Sequence, residues 1–214
     1  CIRDSFSSIL IQLSGGNLLV MLLLTMLAAI IMGMGLPTSA AYVILAVLTS
    51  PALIELGVTP LAAHFFIFFF ACISTITPPV ALSAYAGAGI AGSDPMKTGW
   101  TAFTLGLAGY IVPFLAVYKP SIMLIGTPFL PSLIDVSFSV IAVISMTFTV
   151  SGFLGKRKLP IYIRIAFAVL SALIFLDTGN WADLIATIGI IALWAILHIL
   201  QKKDASQYPP IAAA

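Results

Sequence analysis

Residues 33–39 read GMGLPTS in the middle of an apolar run that extends from Asn17 to Ile54. Glycine costs a helix interior about 1 kcal/mol relative to alanine, and proline about 3 kcal/mol. A segment that only had to stay helical in lipid would have no reason to carry Gly33, Gly35 and Pro37 together. As one straight helix the run would measure roughly 57 Å at 1.5 Å per residue, against a bilayer core about 30 Å thick. Two arms meeting at GMGLPTS would each reach most of the way across, so the stretch predicts a helical hairpin.

The rest of the composition fixes the solvent. Of 214 residues, 61% are hydrophobic and 7% charged, where soluble domains run near 25% charged. With a mean hydropathy of +1.19 and repeated long apolar stretches, the chain reads as an all-α polytopic membrane protein. A net charge of +2 is too small to suggest a nucleic-acid partner, and Cys1 and Cys72 give neither a disulfide framework nor metal-ligand spacing. The first 17 residues lack the pattern of a signal peptide, and the chain opens on Cys1 rather than Met. The expectation is that it starts inside a longer protein.

Between Asp4 and Asp94 the only formally charged residue is Glu55. The organisation expected is a connecting amphipathic segment at 1–16, a re-entrant helical hairpin at 17–54, and a broken transmembrane helix at 55–91. A transmembrane helix at 92–120, three C-terminal transmembrane helices within 121–205 and a tail at 206–214 follow. The reverse arrangement, a broken helix followed by a hairpin, is the alternative for the first two blocks. Basic clusters at GKRKLP (155–160) and QKKDA (201–205) orient the later spans with those ends in the cytoplasm, and the acidic DTGNWAD (177–183) falls on the other side.

The second block carries its own interruption, STITPP at 74–79. A helix interrupted in a membrane leaves N–H and C=O groups unpaired at several kcal/mol each, so such breaks persist only in protein or a wet cavity. Secondary transporters use facing breaks in this way. Half-helix N-termini offer N–H groups and positive dipole ends to an anion, and C-termini offer carbonyls to a cation. Thr38 and Ser39 stand where an N-cap of the second hairpin arm would be. Gly33 and Gly35 let the backbone turn and a ligand approach. Pro78 and Pro79 would sit in a first helical turn, where the missing N–H costs nothing, and Ser74, Thr75 and Thr77 supply oxygens just before them. No carboxylate lies near either break. The competing reading is a packing kink whose hydroxyls back-bond within their own helices.

At these residues the chain resembles a family. GMGLPTSAAYVILAVL, FACISTITPPVALSAYAGAGIAGSDPMKTGWTAFTLG and GYIVPFLAVYKP look like the large membrane subunit of tripartite ATP-independent periplasmic (TRAP) transporters. The nearest variety is the fused permease that pairs with TAXI-type binding proteins. The likeness runs over about residues 15 to 125, with weaker motifs beyond, and corresponds to the second of two inverted repeats in the C-terminal half. It implies an elevator-type transporter with extra C-terminal spans that imports carboxylates or dicarboxylates, with sodium or protons as coupling ion and no other cofactor. The implied partners are a periplasmic TAXI-type substrate-binding protein, the N-terminal half of the same permease and the lipid bilayer. Carried over position by position, the resemblance implies ion binding at Gly33, Gly35, Ser74, Thr75, Thr77 and Pro78. Substrate contact falls to Pro37, Thr38, Ser39 and Pro79. Many relatives carry glycine where this chain has Ser74 and Ala81.

His64 is the only titratable imidazole in the second block; an intramembrane histidine is a functional candidate, although it lies three turns from the break and suits a helix contact. Asp94 is expected to cap the helix starting at Pro95, Asp183 to sit at a membrane edge, and Arg164 to reach the cytoplasmic surface. Among function classes, a channel would need a continuous polar path or charged rings, which the sequence lacks. No HExxH, paired aspartates or Ser/His arrangement points to an enzyme.

Overall fold

The computed structural model describes residues 2–124, 126, 128–154, 157–175 and 180–207. Its helices start and stop where local chemistry dictates. Helix α1 (Ile2–Ser14) ends at Gly15 and Gly16, both at positive φ. The Asn17 side chain then accepts from the Leu19 and Val20 amides at 2.9 and 3.3 Å and opens α2 (Leu18–Gly33). Four residues connect it to α3 (Thr38–Glu55), and the two arms pack on each other as a helical hairpin. At 16 and 18 residues they measure roughly 24 and 27 Å. Neither is the continuous rod of the undivided run.

Helix α4 (Pro60–Ile73) lies against both arms. A 3-10 turn (Ser74–Ile76) and an irregular stretch separate it from α5 (Leu82–Ala91). Helices α4 and α5 do not lie side by side; α5 packs on α6 (Pro95–Gly106) instead. Asp94 caps α6 through a 2.9 Å bond from the Lys97 amide, as its sequence context indicates. The span 95–118 is not one regular helix. A 3-10 segment (Leu107–Ile111) separates α6 from α7 (Val112–Tyr118).

The chain divides into two units at Asp135 and Val136, within α8 (Phe129–Ser151). The first unit is organised around α4. Its fully buried Phe66 and Phe70 meet Phe114 edge-on, with ring centroids 5.2 and 6.0 Å apart. Met21, Leu22, Leu45 and Leu53 close the same core from the hairpin. The second unit has its own core, in which Phe167 and Ile174 of α9 (Ile161–Phe175) meet Ala186 and Ile190 of α10 (Asn180–Gln207). A two-residue antiparallel pairing, Phe153–Leu154 with Arg157–Lys158, connects α8 to α9. Parts of GKRKLP and DTGNWAD, and most of the 206–214 tail, lie outside the described residues.

Among the described residues, three stretches are long and apolar enough to cross a membrane: Thr38–Glu55, Pro95–Tyr118 and Phe129–Ser151. Large apolar side chains cover their outer surfaces, among them Val43, Leu105 and Ile144. Together with the shorter apolar helices, they make the chain an all-α polytopic membrane protein.

Two charged side chains of the second unit stand at helix ends. Asp183 is buried; it sits in the first turn of α10, where the helix dipole favours a carboxylate. Arg164 is half-buried. Its Nε and Nη2 donate to the Thr149 and Val150 carbonyls at 2.8 and 3.2 Å, closing the C-terminus of α8. Carbonyls at a helix end have no intrahelical donor, and a cation there also meets the negative end of the dipole. Arg164→Met keeps an apolar stem and removes the guanidinium. It is expected to lower stability by about 1–3 kcal/mol, read as a reduced thermal midpoint in detergent; an unchanged midpoint would mean that water replaces the guanidinium without loss.

Candidate functional site

The first break is a tight connection. Helix α2 ends at Gly33, Met34 is extended, and Gly35 takes a φ of 86° that a side chain would resist. Pro37, extended at φ −57° and ψ 139°, is the N-cap of α3, and no side chain caps the helix. Sequence reasoning placed that cap at Thr38 and Ser39. Proline's fixed φ already supplies the extended cap geometry, so the helix begins one residue earlier than a hydroxyl cap would require. Thr38 is half-buried, while Gly35, Pro37 and Ser39 are exposed. The first amides of α3 have no intrahelical acceptor, and the Thr38 and Ser39 hydroxyls stand beside them.

The second break is built by its own hydroxyls. Ser74 Oγ donates to the Ala71 carbonyl at 2.7 Å, Thr75 Oγ1 to Cys72 at 2.8 Å, and Thr77 Oγ1 to Ile73 at 2.8 Å. All three therefore back-bond to the last turn of α4, as the kink reading allows. Back-bonding uses the hydroxyl proton and leaves the oxygen's lone pairs as acceptors. Ser74 and Thr77 are buried, at 1% and 7% exposure, and Thr75 is half-buried.

Beyond the 3-10 turn the two prolines do not begin a helix. Thr77 is extended (φ −95°, ψ 123°), as the residue before a proline tends to be. The Pro78–Pro79 peptide is cis, and α5 begins only at Leu82. Pro78 precedes a second proline and is subject to the same restriction, which moves the helix start past both. Pro79 is exposed, and its carbonyl accepts the Tyr85 hydroxyl at 2.6 Å. The buried Ala81 is left-handed at φ 33°, one of the two positions where the resemblance leads to an expectation of glycine.

The two breaks meet. Gly33 lies directly against Ser74; a Cβ on Gly33 would fall 2.8 Å from the Ser74 Cβ and overlap its Oγ. The glycine is thus the space that the serine occupies. Of the residues proposed from sequence, Gly33 and Ser74 are brought into contact, and Thr75, Thr77 and Pro78 continue from Ser74.

Sequence reasoning missed the third wall. Tyr110, in the 3-10 segment of the 95–118 span, places its hydroxyl 2.6 Å from Thr77 Oγ1. Gly106 of the same span faces the Ile76 side chain, and Gly99 faces Tyr85, each so closely that a Cβ would fall 2.8–2.9 Å away. The available signal was a tyrosine closely following Gly106 and Gly109 in an apolar span, since a buried tyrosine hydroxyl usually finds a partner.

His64 stands apart from the breaks. Its Nδ1 is 3.1 Å from the Tyr42 hydroxyl and its Nε2 is 3.3 Å from Ser50 Oγ, joining α4 to α3. An open cavity of about 620 Å³ lies here, lined by Ser50, Pro51, Glu55, His64 and apolar neighbours. It includes none of the residues at either break.

The profile of the family described as "Tripartite ATP-independent periplasmic transporter, DctM component" matches residues 2–133. The chain belongs to this family. No curated protein and no solved structure matches it. The matched region contains both breaks and the span bearing Tyr110. The chain is therefore a membrane component of a TRAP secondary transporter, integral to the inner membrane and multi-pass. Its family is one of permeases, not enzymes, and works with a periplasmic binding protein and other subunits.

The Gly33–Ser74 contact makes a paired prediction. Gly33→Ala alone is expected to force the breaks apart at about 1–3 kcal/mol, the usual cost of overpacking. Ser74→Gly in the same chain should recover most of that loss, because it removes both overlapping atoms. Thermal midpoints of the wild type, both single variants and the double variant form the cycle. Strict additivity would mean that the two positions do not touch.

Proposed function

We propose that this TRAP membrane component imports carboxylates, dicarboxylates foremost, by sodium-coupled elevator movement, and that the coupling ion binds where the two breaks meet. The observation that carries this reading is the contact of Gly33 with Ser74, which puts irregular backbone from two elements at one place without any fixed charge. A sodium ion takes hard oxygen ligands, by the logic of other hard cations. The Ser74, Thr75 and Thr77 oxygens keep lone pairs after back-bonding. Gly33, Gly35 and Pro78 leave backbone carbonyls approachable by that ion. The substrate carboxylate is assigned to the start of α3, with Pro37, Thr38 and Ser39, and to Pro79. There the helix dipole and free amides favour an anion, and a bound cation offsets its charge.

The TAXI-type binding protein and an N-terminal repeat of the same permease complete this proposal, on the strength of the motif resemblance. A proton-coupled variant of the same transporter is the second reading. It is favoured by one observation, the engagement of both His64 ring nitrogens by hydroxyls on α3.

Uptake of radiolabelled dicarboxylates into proteoliposomes, with the full-length permease and its binding protein, separates these readings. Under an inward sodium gradient, wild-type uptake is expected to be saturable, and Thr77→Ala to raise the sodium requirement by about tenfold, the loss of one ligand of about 1.4 kcal/mol. Uptake driven by protons, indifferent to sodium and abolished in His64→Gln would establish the second reading. Uptake under neither gradient would remove the carboxylate assignment.

A further inference from the structure

Thr77 is the most constrained hydroxyl at the break. It is the residue at which the chain leaves the 3-10 turn, and its Oγ1 has two partners, the Ile73 carbonyl at 2.8 Å and the Tyr110 hydroxyl at 2.6 Å. A threonine hydroxyl has one proton and two lone pairs, and a carbonyl only accepts. Both bonds form together only when Thr77 donates to Ile73 and Tyr110 donates to Thr77. One lone pair on Thr77 Oγ1 then remains, and its direction is fixed by the other two bonds.

The position of Tyr110 is itself fixed by packing. Its ring meets Phe70 of α4 and Phe103 of α6 edge-on, each at a centroid distance of 5.8 Å. It lies in the only interruption of the 95–118 span among the described residues, the 3-10 segment Leu107–Ile111. A 3-10 stretch within a helix often marks a hinge or a sequence under strain. Here it coincides with the place where the span meets the break, at Gly106 opposite Ile76 and Tyr110 opposite Thr77.

We propose that Tyr110 is a positioning residue for cation binding. By donating to Thr77 Oγ1 it orients that oxygen's remaining lone pair toward the cation and ties the occupancy of the site to the 3-10 segment of the next span. The proposal rests on the sodium-site reading above and deepens it. Tyr110 itself is no ligand: its proton is directed at Thr77, and its effect on the cation passes through that oxygen.

The test uses sodium alone, so that no substrate need be known. A ligand that binds only the folded state stabilises it by RT ln(1 + [L]/Kd), so the rise of the thermal midpoint with concentration yields its half-saturating concentration. The midpoint of the full-length permease in detergent is followed against sodium chloride, with choline chloride holding ionic strength constant. Tyr110→Phe keeps the ring contacts and removes only the hydroxyl. Its half-saturating sodium concentration is expected to rise by about three- to tenfold, the range one net hydrogen bond covers, while its midpoint in choline reports folding separately.

Three outcomes overturn the proposal, and they differ. If wild type gains nothing from sodium over choline, the sodium-site reading has failed and Tyr110 has no cation to position. If wild type responds, Thr77→Ala loses the response and Tyr110→Phe titrates like wild type, the reading stands and the proposal alone fails. If Tyr110→Phe lowers the midpoint equally in both salts with half-saturation unmoved, its role is structural only.

Discussion

A chain that leaves the helix inside an apolar medium abandons carbonyls that no solvent will satisfy, and each one left unpaired costs several kcal/mol. The end of α4 meets this constraint from within. Ser74, Thr75 and Thr77 return their hydroxyl protons to Ala71, Cys72 and Ile73, so the last turn closes without a partner from outside. Everything else at the break follows from that arrangement. The hydroxyls become acceptors only, the chain is free to extend at Thr77, and the prolines can redirect it toward α5 without leaving a donor unmatched, because they have none.

A self-sufficient break can then be packed closely, and glycine is the means. Gly33 admits Ser74, Gly106 admits Ile76 and Gly99 admits Tyr85. The hairpin and the 95–118 span both approach the break through positions with no side chain. Small residues at membrane helix contacts generally serve to bring backbones together. Here they bring two elements onto one irregular segment, so a displacement of that segment is felt by both. Ala81 is the counterexample. It is left-handed without being glycine, and its methyl is buried, so some of the roughly 1–2 kcal/mol that this conformation costs is offset by packing.

Much of this was legible in the sequence because its signals are local. The hairpin was readable from the cost of glycine and proline in a helix, the membrane setting from composition, and the Asp94 cap from its position before Pro95. The second break was located correctly, but its geometry was not. Two prolines in succession were read as a helix start, when each also restrains the residue before it, and Thr38 was preferred to Pro37 because a cap was sought among hydroxyls. The remaining features are tertiary. Nothing near Tyr110 in the chain names Thr77, 33 residues earlier. The bonds from Arg164 to Thr149 and Val150 likewise depend on how the chain reverses between α8 and α9.

The same geometry bears on which reading of a hydroxyl-rich kink applies. Back-bonding and ligand binding were opposed at the level of sequence, as though a hydroxyl engaged by its own helix were unavailable. They use different parts of the group. The proton goes to the carbonyl and the lone pairs face away from it, so a back-bonded serine or threonine is a preoriented acceptor rather than an occupied one. An anion would need that proton and would have to compete with the carbonyl for it; a cation would not. The break at 74–77 is thus suited to positive charge by the same bonds that make it a stable kink. The amides at the start of α3 have no such prior engagement and are suited to negative charge. Which charge each segment suits follows from whether a helix ends there, as α4 does, or begins there, as α3 does.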